Sequence, residues 1–195
     1  MSDTVIQLPE PTTGLGVALE KALTERRSHR TFTSTPLELS EIGQLLWAAQ
    51  GITAPGKRTA PSAGALGPLE IFVVTAEGVS HYVADGHRLE RRATGDRRTA
   101  LVSAAADQAI VARAPMVMVI TGILSRTAWK YGNDRAWRYV NLEAGHAAQN
   151  VLLMATAMGL AGVPVGAFDD NTVMDLVGLP ADHRPLYLVP LGQPA

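Results

Sequence analysis

Apolar residues recur three and four positions apart in several parts of the chain, which is the spacing of an amphipathic helix. This pattern predicts a first helix over residues 15–26 and a second helix that follows Pro36 and ends before Gly51. A glycine in that place is typical of the position just after a helix C-terminus. Residues 97–113 show the same periodicity and predict a third helix.

The longest helical pattern covers residues 136–160, where apolar side chains and alanines occur on nearly every side. A helix that is apolar all round is expected to be buried all round. In addition, only 18% of the residues are charged, which is low for the surface of an isolated chain. Both observations predict that this helix lies at the interface of a homodimer.

Short apolar runs bounded by turn residues predict the strands of the fold. The first two strands are joined by a hairpin turn at residues 76–78, and Asp169 or Asp170 can cap a short helix that ends at Val177. Helices and antiparallel-looking strands alternate without a regular βαβ repeat, so the predicted fold class is α+β. The predicted strands cover residues 70–74, 79–83, 116–121 and 186–191.

The chain is expected to form one domain over residues 1–195. Residues 1–13 are rich in proline and threonine and predict an extended N-terminal arm. Residues 53–68 are rich in small residues and predict a long loop, whose length favours a functional role.

Charge and cysteine content narrow the possible functions. The 17 basic and 18 acidic residues give a net charge of −1, which argues against a nucleic-acid or membrane-surface binder. There is no cysteine, so disulfides, thiolate nucleophiles, cysteine-ligated zinc and iron–sulfur clusters are excluded. No targeting segment or membrane-spanning run is recognisable, and the expected location is cytoplasmic.

Two groups of residues suggest a bound anion and a flat ligand. Three guanidiniums and a hydroxyl within five residues can chelate a phosphate, although a solvated basic helix end has the same composition. Small residues let the backbone approach a flat ligand closely, although an ordinary loop or connector contains them too. The candidates for the phosphate are Arg26, Arg27, Ser28 and Arg30, and those for the flat ligand are Pro61, Ser62, Ala63, Ala65, Val165, Gly166 and Ala167.

Two further pairs of side chains carry possible chemistry. Lys130 and Tyr131 could act as a general acid or base, or they could belong to an amphipathic surface segment. Glu143 and His146 lie three residues apart in the longest helix, where a structural hydrogen-bond network is the favoured interpretation. One Glu and one His are too few ligands for a metal, so no metal site is predicted.

In this order, the motifs resemble the nitroreductase superfamily of FMN enzymes, and most closely its SagB-type, or thiazole/oxazole-forming, dehydrogenase branch. The resemblance extends over almost the whole chain. The stretches that carry it are residues 26–32 (RRSHRTF), 45–51 (LLWAAQG), 61–65 (PSAGA), 130–132 (KYG), 138–146 (RYVNLEAGH) and 163–169 (VPVGAFD).

The resemblance implies an α+β homodimer with a central antiparallel sheet, flanking helices and two FMN sites between the subunits. It assigns Arg26, Arg27, Ser28 and Arg30 to the phosphate and ribitol of FMN. The residues that would approach the same flavin from the other subunit are Pro61, Ser62, Ala63 and Ala65. Those along its ring would be Val165, Gly166 and Ala167.

The resemblance also implies an oxidoreductase in which hydride moves to or from flavin N5, with Lys130 and Tyr131 removing a substrate proton. The substrate would be a small organic molecule or a peptide-borne heterocycle. Alternatives are an NAD(P)H-dependent nitro- or quinone reductase and a non-catalytic flavin-binding or scaffold subunit. The sequence departs from the pattern at Ala65, where many relatives have Asn, and after Gly192, where many have a basic residue.

Overall fold

The computed structural model describes residues 4–106 and 108–195. Its helices are α1 (Leu19–Glu25), α2 (Leu39–Gln50), α3 (Arg98–Ala104), α4 (Ile110–Arg113), α5 (Ser125–Tyr131), α6 (Asn133–Ala157) and α7 (Asp170–Val177). Its strands are β1 (Val5–Gln7), β2 (Ile52–Ala54), β3 (Lys57–Arg58), β4 (Leu69–Thr75), β5 (Gly78–Val83), β6 (Arg88–Thr94), β7 (Met116–Ile123), β8 (Ala161–Gly162) and β9 (His183–Gly192).

A central sheet organises the fold. Within the described residues, seven strands form it in the order β1-β6-β5-β4-β7-β9-β8, and every pairing is antiparallel. All residues of the interior strand β7 are buried, because helices cover both faces of the sheet. β2 and β3 form a separate hairpin.

The alternation of side chains along β4 separates two hydrophobic layers. Ile71 and Val73 point into the layer beneath α2 and α6, whereas Phe72 and Val74 point into the layer beneath α3, α4 and α7. The predicted α+β class, with an antiparallel sheet flanked by helices, is therefore confirmed.

Several predicted elements agree with the structure. The hairpin of β4 and β5 is present, and β7 and β9 extend the runs predicted at residues 116–121 and 186–191. Asp169 caps α7, since its carboxylate accepts a hydrogen bond from the Thr172 N–H.

The longest helix is predicted to be buried on all sides together with a partner subunit, and a single chain buries α6 on one side only. In α6 one face packs into the core, through residues that include Val140, Ala144 and Val151. On the opposite side, Leu142 is 54% exposed, and Trp137, which lies nearer the core face, is 39% exposed. Alanines made the helix look apolar all round, but a short alanine side chain tolerates either environment.

Other boundaries differ as well. The first helix begins at Leu19 rather than at residue 15, and the segment predicted as one helix over 97–113 contains α3 and α4 as separate helices. The predicted loop at 53–68 contains most of the β2–β3 hairpin and a 3₁₀ turn at Ala63–Ala65. The sequence analysis did not predict α5, β6 or β8.

The N-terminal segment is part of the sheet. Within the stretch expected to be an extended arm, Val5 to Gln7 form β1 and pair with β6. Among the described residues, no helix combines the length and the apolar composition needed to cross a membrane.

Candidate functional site

The first candidate group lies along one edge of the sheet. The basic segment (residues 26–30) runs beside β8, where Ser28 forms a parallel bridge to Gly162 and the His29 N–H donates to the Gly162 carbonyl. The glycine segment (residues 162–167) continues from β8, and Val165 exchanges two backbone hydrogen bonds with Leu188 of β9. The fold therefore brings two predicted parts of the site together.

The arginines of the basic segment have different environments. Among the described residues, the guanidiniums of Arg26 and Arg30 have no hydrogen-bond or ion-pair partner. In contrast, the Arg27 guanidinium donates to the carbonyls of Thr24 and Arg26, at the end of α1. Arg26 and Arg30 are therefore the cations that are free for an anionic ligand.

The glycine segment exposes unused backbone donors. Gly166 and Ala167 are exposed, and their N–H groups donate to no acceptor among the residues that the structure describes. Before this pair, Val165 is held by its two backbone hydrogen bonds with Leu188. After the pair, the Asp169 N–H donates to the Ala104 carbonyl. A flat ligand with acceptor atoms fits against this short exposed strip.

The second candidate group surrounds the small-residue loop (residues 61–65). Its 3₁₀ turn has positive φ angles at Gly64 and Ala65, which keep the backbone tightly curved. The Ser62 hydroxyl accepts a hydrogen bond of 2.9 Å from the Gly67 N–H, which closes the turn. Before the loop, the Asn150 amide donates to the Thr59 carbonyl at 3.2 Å.

Lys130 and Tyr131 lie at the end of α5 and face this loop. A Cβ atom placed on Gly64 would be 2.8 Å from Tyr131 Oη and 3.0 Å from Lys130 Nζ. The two side chains also contact each other, with Lys130 Nζ 5.4 Å from the centre of the Tyr131 ring. Tyr139 of α6 packs edge-on against Tyr131, with ring centres 5.0 Å apart.

An ion pair joins α5 to the sheet and to the end of the loop. Arg126 Nη1 lies 2.6 Å from Glu70 Oε1 and donates to the Gly67 carbonyl at 3.2 Å. Glu70 also contacts His81 Nε2 at 2.7 Å. Burial alone would raise the pKa of Glu70, but the hydrogen bonds with His81 and Arg126 hold it below its usual value.

A buried carboxyl lies on α6, against the end of α2. Glu143 is 2% exposed, and the Gln50 amide donates to its carboxylate at 3.5 Å. Burial raises the pKa of Glu143 to about 7, and the polar side chains of Ser62 and Gln50 and the charge of Arg58 oppose the rise.

The hydrogen-bond network predicted from the spacing in α6 is thus present at Glu143 and Asn150, whereas His146 is exposed. Sequence analysis missed Gln50, Arg58 and Arg126. The sequence contained one signal for this group, which is Gln50 at the end of the apolar stripe of α2. A polar side chain in a buried position needs a hydrogen-bond partner.

The two groups stay apart within one chain. Among residues 4–106 and 108–195, no hydrogen bond, ion pair or ring contact joins the basic or glycine segment to the small-residue loop, Lys130 or Tyr131. Gly162 lies against Leu152 of α6. Leu152 is nine residues after Glu143, and the two residues are therefore about 13 Å apart along the helix axis. A ligand with a phosphate and a flat ring fits the first group, and the second group supplies acid–base side chains.

Comparison with known proteins gives a consistent result. A model of the nitroreductase family matches residues 23–193. A protein of Methanocaldococcus jannaschii, described as a candidate nitroreductase, is 43% identical over 201 aligned positions, which cover 99% of this chain and 98% of the relative. The crystal structure of a candidate nitroreductase from Ralstonia eutropha is similar with a TM-score of 0.90 and 30% identity, covering 98% of this chain and 90% of that chain.

A more distant relative is the trifolitoxin operon protein TfxC of Rhizobium leguminosarum, which is 26% identical. The match covers 97% of this chain and 59% of that protein.

Proposed function

Because the chain belongs to the nitroreductase family, we propose that it is an FMN-dependent oxidoreductase that moves hydride between flavin N5 and a small organic substrate. The observation that carries this proposal is the arrangement at the sheet edge. There, the basic segment carries the free guanidiniums of Arg26 and Arg30 and pairs with the first residue of the glycine segment. The glycine segment, in turn, contains the unused backbone N–H groups. Guanidinium groups form paired, charge-assisted hydrogen bonds with a phosphate, and exposed N–H groups can donate hydrogen bonds to the acceptor atoms of a flavin ring.

In this proposal the basic segment binds the phosphate and ribitol, with Ser28 and Arg27 beside the two free arginines. Val165, Gly166 and Ala167 lie along the ring. Charge-assisted hydrogen bonds from Arg26 and Arg30 supply most of the phosphate affinity, since the guanidiniums of these two residues have no partner among the described residues.

The second group would complete the site from another subunit. Since the small-residue loop does not contact the basic segment of its own chain, we propose a homodimer in which Pro61, Ser62, Ala63 and Ala65 approach the flavin held by the other copy. The exposed side of α6 supports this, because Leu142 leaves apolar area uncovered there.

The dimer can be tested on α6. A Cβ at Gly145 would have no atom within 4 Å apart from those of the adjoining α6 backbone and its chain neighbours, so a larger side chain there leaves the fold of one chain undisturbed but obstructs a second helix. We expect Gly145→Leu to shift the protein from dimer to monomer in size-exclusion chromatography with light scattering. Gly14→Leu is the control, since this glycine too has open space around it. An unchanged mass for Gly145→Leu would place the interface elsewhere.

Lys130 and Tyr131 would handle the proton. When bound, FMN accepts or donates a hydride, and oxidation of an azoline ring to an azole also requires the loss of one proton. Lys130 Nζ and Tyr131 Oη both approach the loop at Gly64, and the deprotonated form of either group can take that proton. We therefore propose a small or peptide-borne heterocycle as the substrate.

A second candidate function is NAD(P)H-dependent reduction of nitro compounds or quinones, which the description of the Methanocaldococcus jannaschii relative favours. Rapid bleaching of the flavin by NADPH alone would support the reductase. Slow bleaching by NADPH, with turnover of an azoline, would support the dehydrogenase.

The first experiment is an absorption spectrum of the purified protein, followed by titration of the apoprotein with FMN. We expect a flavin spectrum, and we expect Arg30→Ala to weaken FMN binding roughly 10- to 100-fold, because a hydrogen bond to a charged group contributes about 1.5–3 kcal/mol. Arg113→Ala, which removes an exposed arginine at the end of α4, should bind as the wild type does. A protein that takes up no FMN would contradict the proposal and favour a scaffold subunit.

A further inference from the structure

A cavity lies between the β2–β3 hairpin and the small-residue loop. Its volume of about 510 Å³ is in the usual range for a site that binds a small organic molecule. The hairpin contributes Ile52, Lys57 and Arg58 to the lining, and the loop contributes residues that include Pro61 and Ala65. The cavity therefore borders the loop whose residues are proposed to approach the flavin of the other copy.

The lining of this cavity carries positive charge. Two of the described lining residues are cations, and none of them is an aspartate or a glutamate. Arg58 is partly engaged, because its guanidinium donates to the Gln50 carbonyl at 2.7 Å and its charge acts on the buried Glu143. In contrast, Lys57 is exposed, and its amine has no hydrogen-bond or ion-pair partner within residues 4–106 and 108–195. Lys57 is thus the cation of this cavity that is available to a ligand.

The rest of the lining is small or apolar. Ile52 and Leu66 supply apolar surface, and the Ser62 hydroxyl already accepts a hydrogen bond from the Gly67 N–H. A complementary ligand has an apolar body, which replaces water against these side chains, and an anionic group for the amine of Lys57.

We propose that this cavity binds the substrate of the site and that Lys57 selects substrates with an anionic group, a carboxylate or a phosphate. The inference rests on the proposed function, because the loop beside the cavity is the one assigned to the flavin. Lys57 is a specificity-determining residue here: it favours an anionic molecule over a neutral one of the same shape and takes no part in the proton transfer.

The first test compares two nitro compounds that differ in charge. The FMN-loaded protein is reduced by light without oxygen, and its reoxidation is followed with 4-nitrobenzoate and with the neutral 4-nitrobenzamide. We expect Lys57→Gln to slow the reaction of 4-nitrobenzoate about three- to fivefold, the size of one exposed ion pair, and to leave that of 4-nitrobenzamide unchanged. Lys57→Glu should increase the loss, and added salt should reduce the preference of the wild type. Lys21→Gln, which changes an exposed lysine of α1, is the control.

A second comparison shows whether the anionic group belongs to a nicotinamide nucleotide. Reduction of the flavin is measured with NADPH and with N-benzyl-dihydronicotinamide, a hydride donor that has no phosphate. A loss in Lys57→Gln with NADPH alone would assign the group to a phosphate of the nucleotide, and a loss with 4-nitrobenzoate alone would assign it to a carboxylate substrate. Equal changes for charged and neutral partners, or no change with any of them, would overturn the inference.

Binding is also measured without chemistry. In ligand-observed NMR of the full chain, we expect Lys57→Gln to weaken the benzoate signal and to keep that of benzamide. Arg26 and Arg30 are the same in both proteins, so the difference reports the cavity. Weaker FMN binding by Lys57→Gln would contradict the inference, because it would place Lys57 in the flavin site. A wild type that binds no FMN contradicts the proposed function, and the NMR comparison then still decides whether Lys57 binds the anion.

Discussion

Replacing Lys130 by Ala together with Tyr131 by Phe is expected to lower turnover by roughly 10²- to 10⁴-fold while FMN stays bound, which is the usual contribution of a positioned general acid or base. The reason is geometric: the Lys130 amine and the Tyr131 hydroxyl are the proton-carrying groups that lie against Gly64. Neither belongs to the basic segment, so flavin affinity should change little.

The measurement is steady-state turnover of the FMN-loaded protein with an azoline and, separately, with NADPH and a nitroaromatic compound. Lys21→Ala is the matched control, since Lys21 lies on the exposed surface of α1, where it pairs with Glu25. Turnover of both substrates at the wild-type rate in the double variant would remove Lys130 and Tyr131 from the mechanism. A loss with the azoline alone would separate the dehydrogenase from the reductase.

The second large effect concerns stability and pH. The carboxyl of Glu143 has a pKa of about 7 in the folded protein, raised by burial from 4.5. The folded state therefore binds a proton more tightly than the unfolded state, and this contribution to stability is lost as pH rises from about 5 to 8. We expect Glu143→Gln to gain roughly 2–3 kcal/mol in the free energy of unfolding relative to the wild type over this range.

Thermal or urea unfolding at pH 5 and pH 8 measures this difference. Burial also lowers the pKa of His87, so the contribution of His87 to stability is lost as pH falls. Because this effect opposes that of Glu143 and occurs in both proteins, the difference between wild type and variant isolates Glu143. Glu20→Gln, which changes an exposed carboxyl of α1, is the control. Parallel pH profiles for wild type and Glu143→Gln would show that Glu143 has an ordinary pKa in the folded protein.

Much of the fold was predictable because local signals agreed with the final packing. The apolar runs of β4 and β7 are buried in the sheet, and Asp169 is a strong cap that bonds Thr172 as expected. These elements depend on neighbouring residues or on simple burial, and both can be recognised in a single sequence.

The missed elements depend on contacts with distant residues. The sequence of β6 is rich in charged residues and shows no apolar run. Its polar side chains are held by ion pairs such as Arg91–Glu77 rather than by packing on an apolar face. Similarly, β8 has two residues and exists because β9 pairs with it. α5 was missed because its basic and aromatic residues have no apolar stripe.

The same distinction applies to the candidate site. The residue types and spacing in the basic segment and in the glycine segment indicated a phosphate and a flat ring. They could not indicate that Arg27 turns back to the end of α1, or that Lys130 and Tyr131 meet the small-residue loop. The first fact depends on the side-chain conformation of Arg27, and the second depends on how α5 packs against the loop; the sequence contains no local signal for either.

The basic segment has one more consequence, for the solubility of the protein. An open sheet edge exposes unpaired N–H and carbonyl groups that can recruit another chain and begin aggregation. Here Ser28 and His29 run along the outer side of β8 at Gly162, and the neighbouring arginines add positive charge to that edge. Residues whose composition suits a phosphate thereby also protect the sheet from edge-to-edge association.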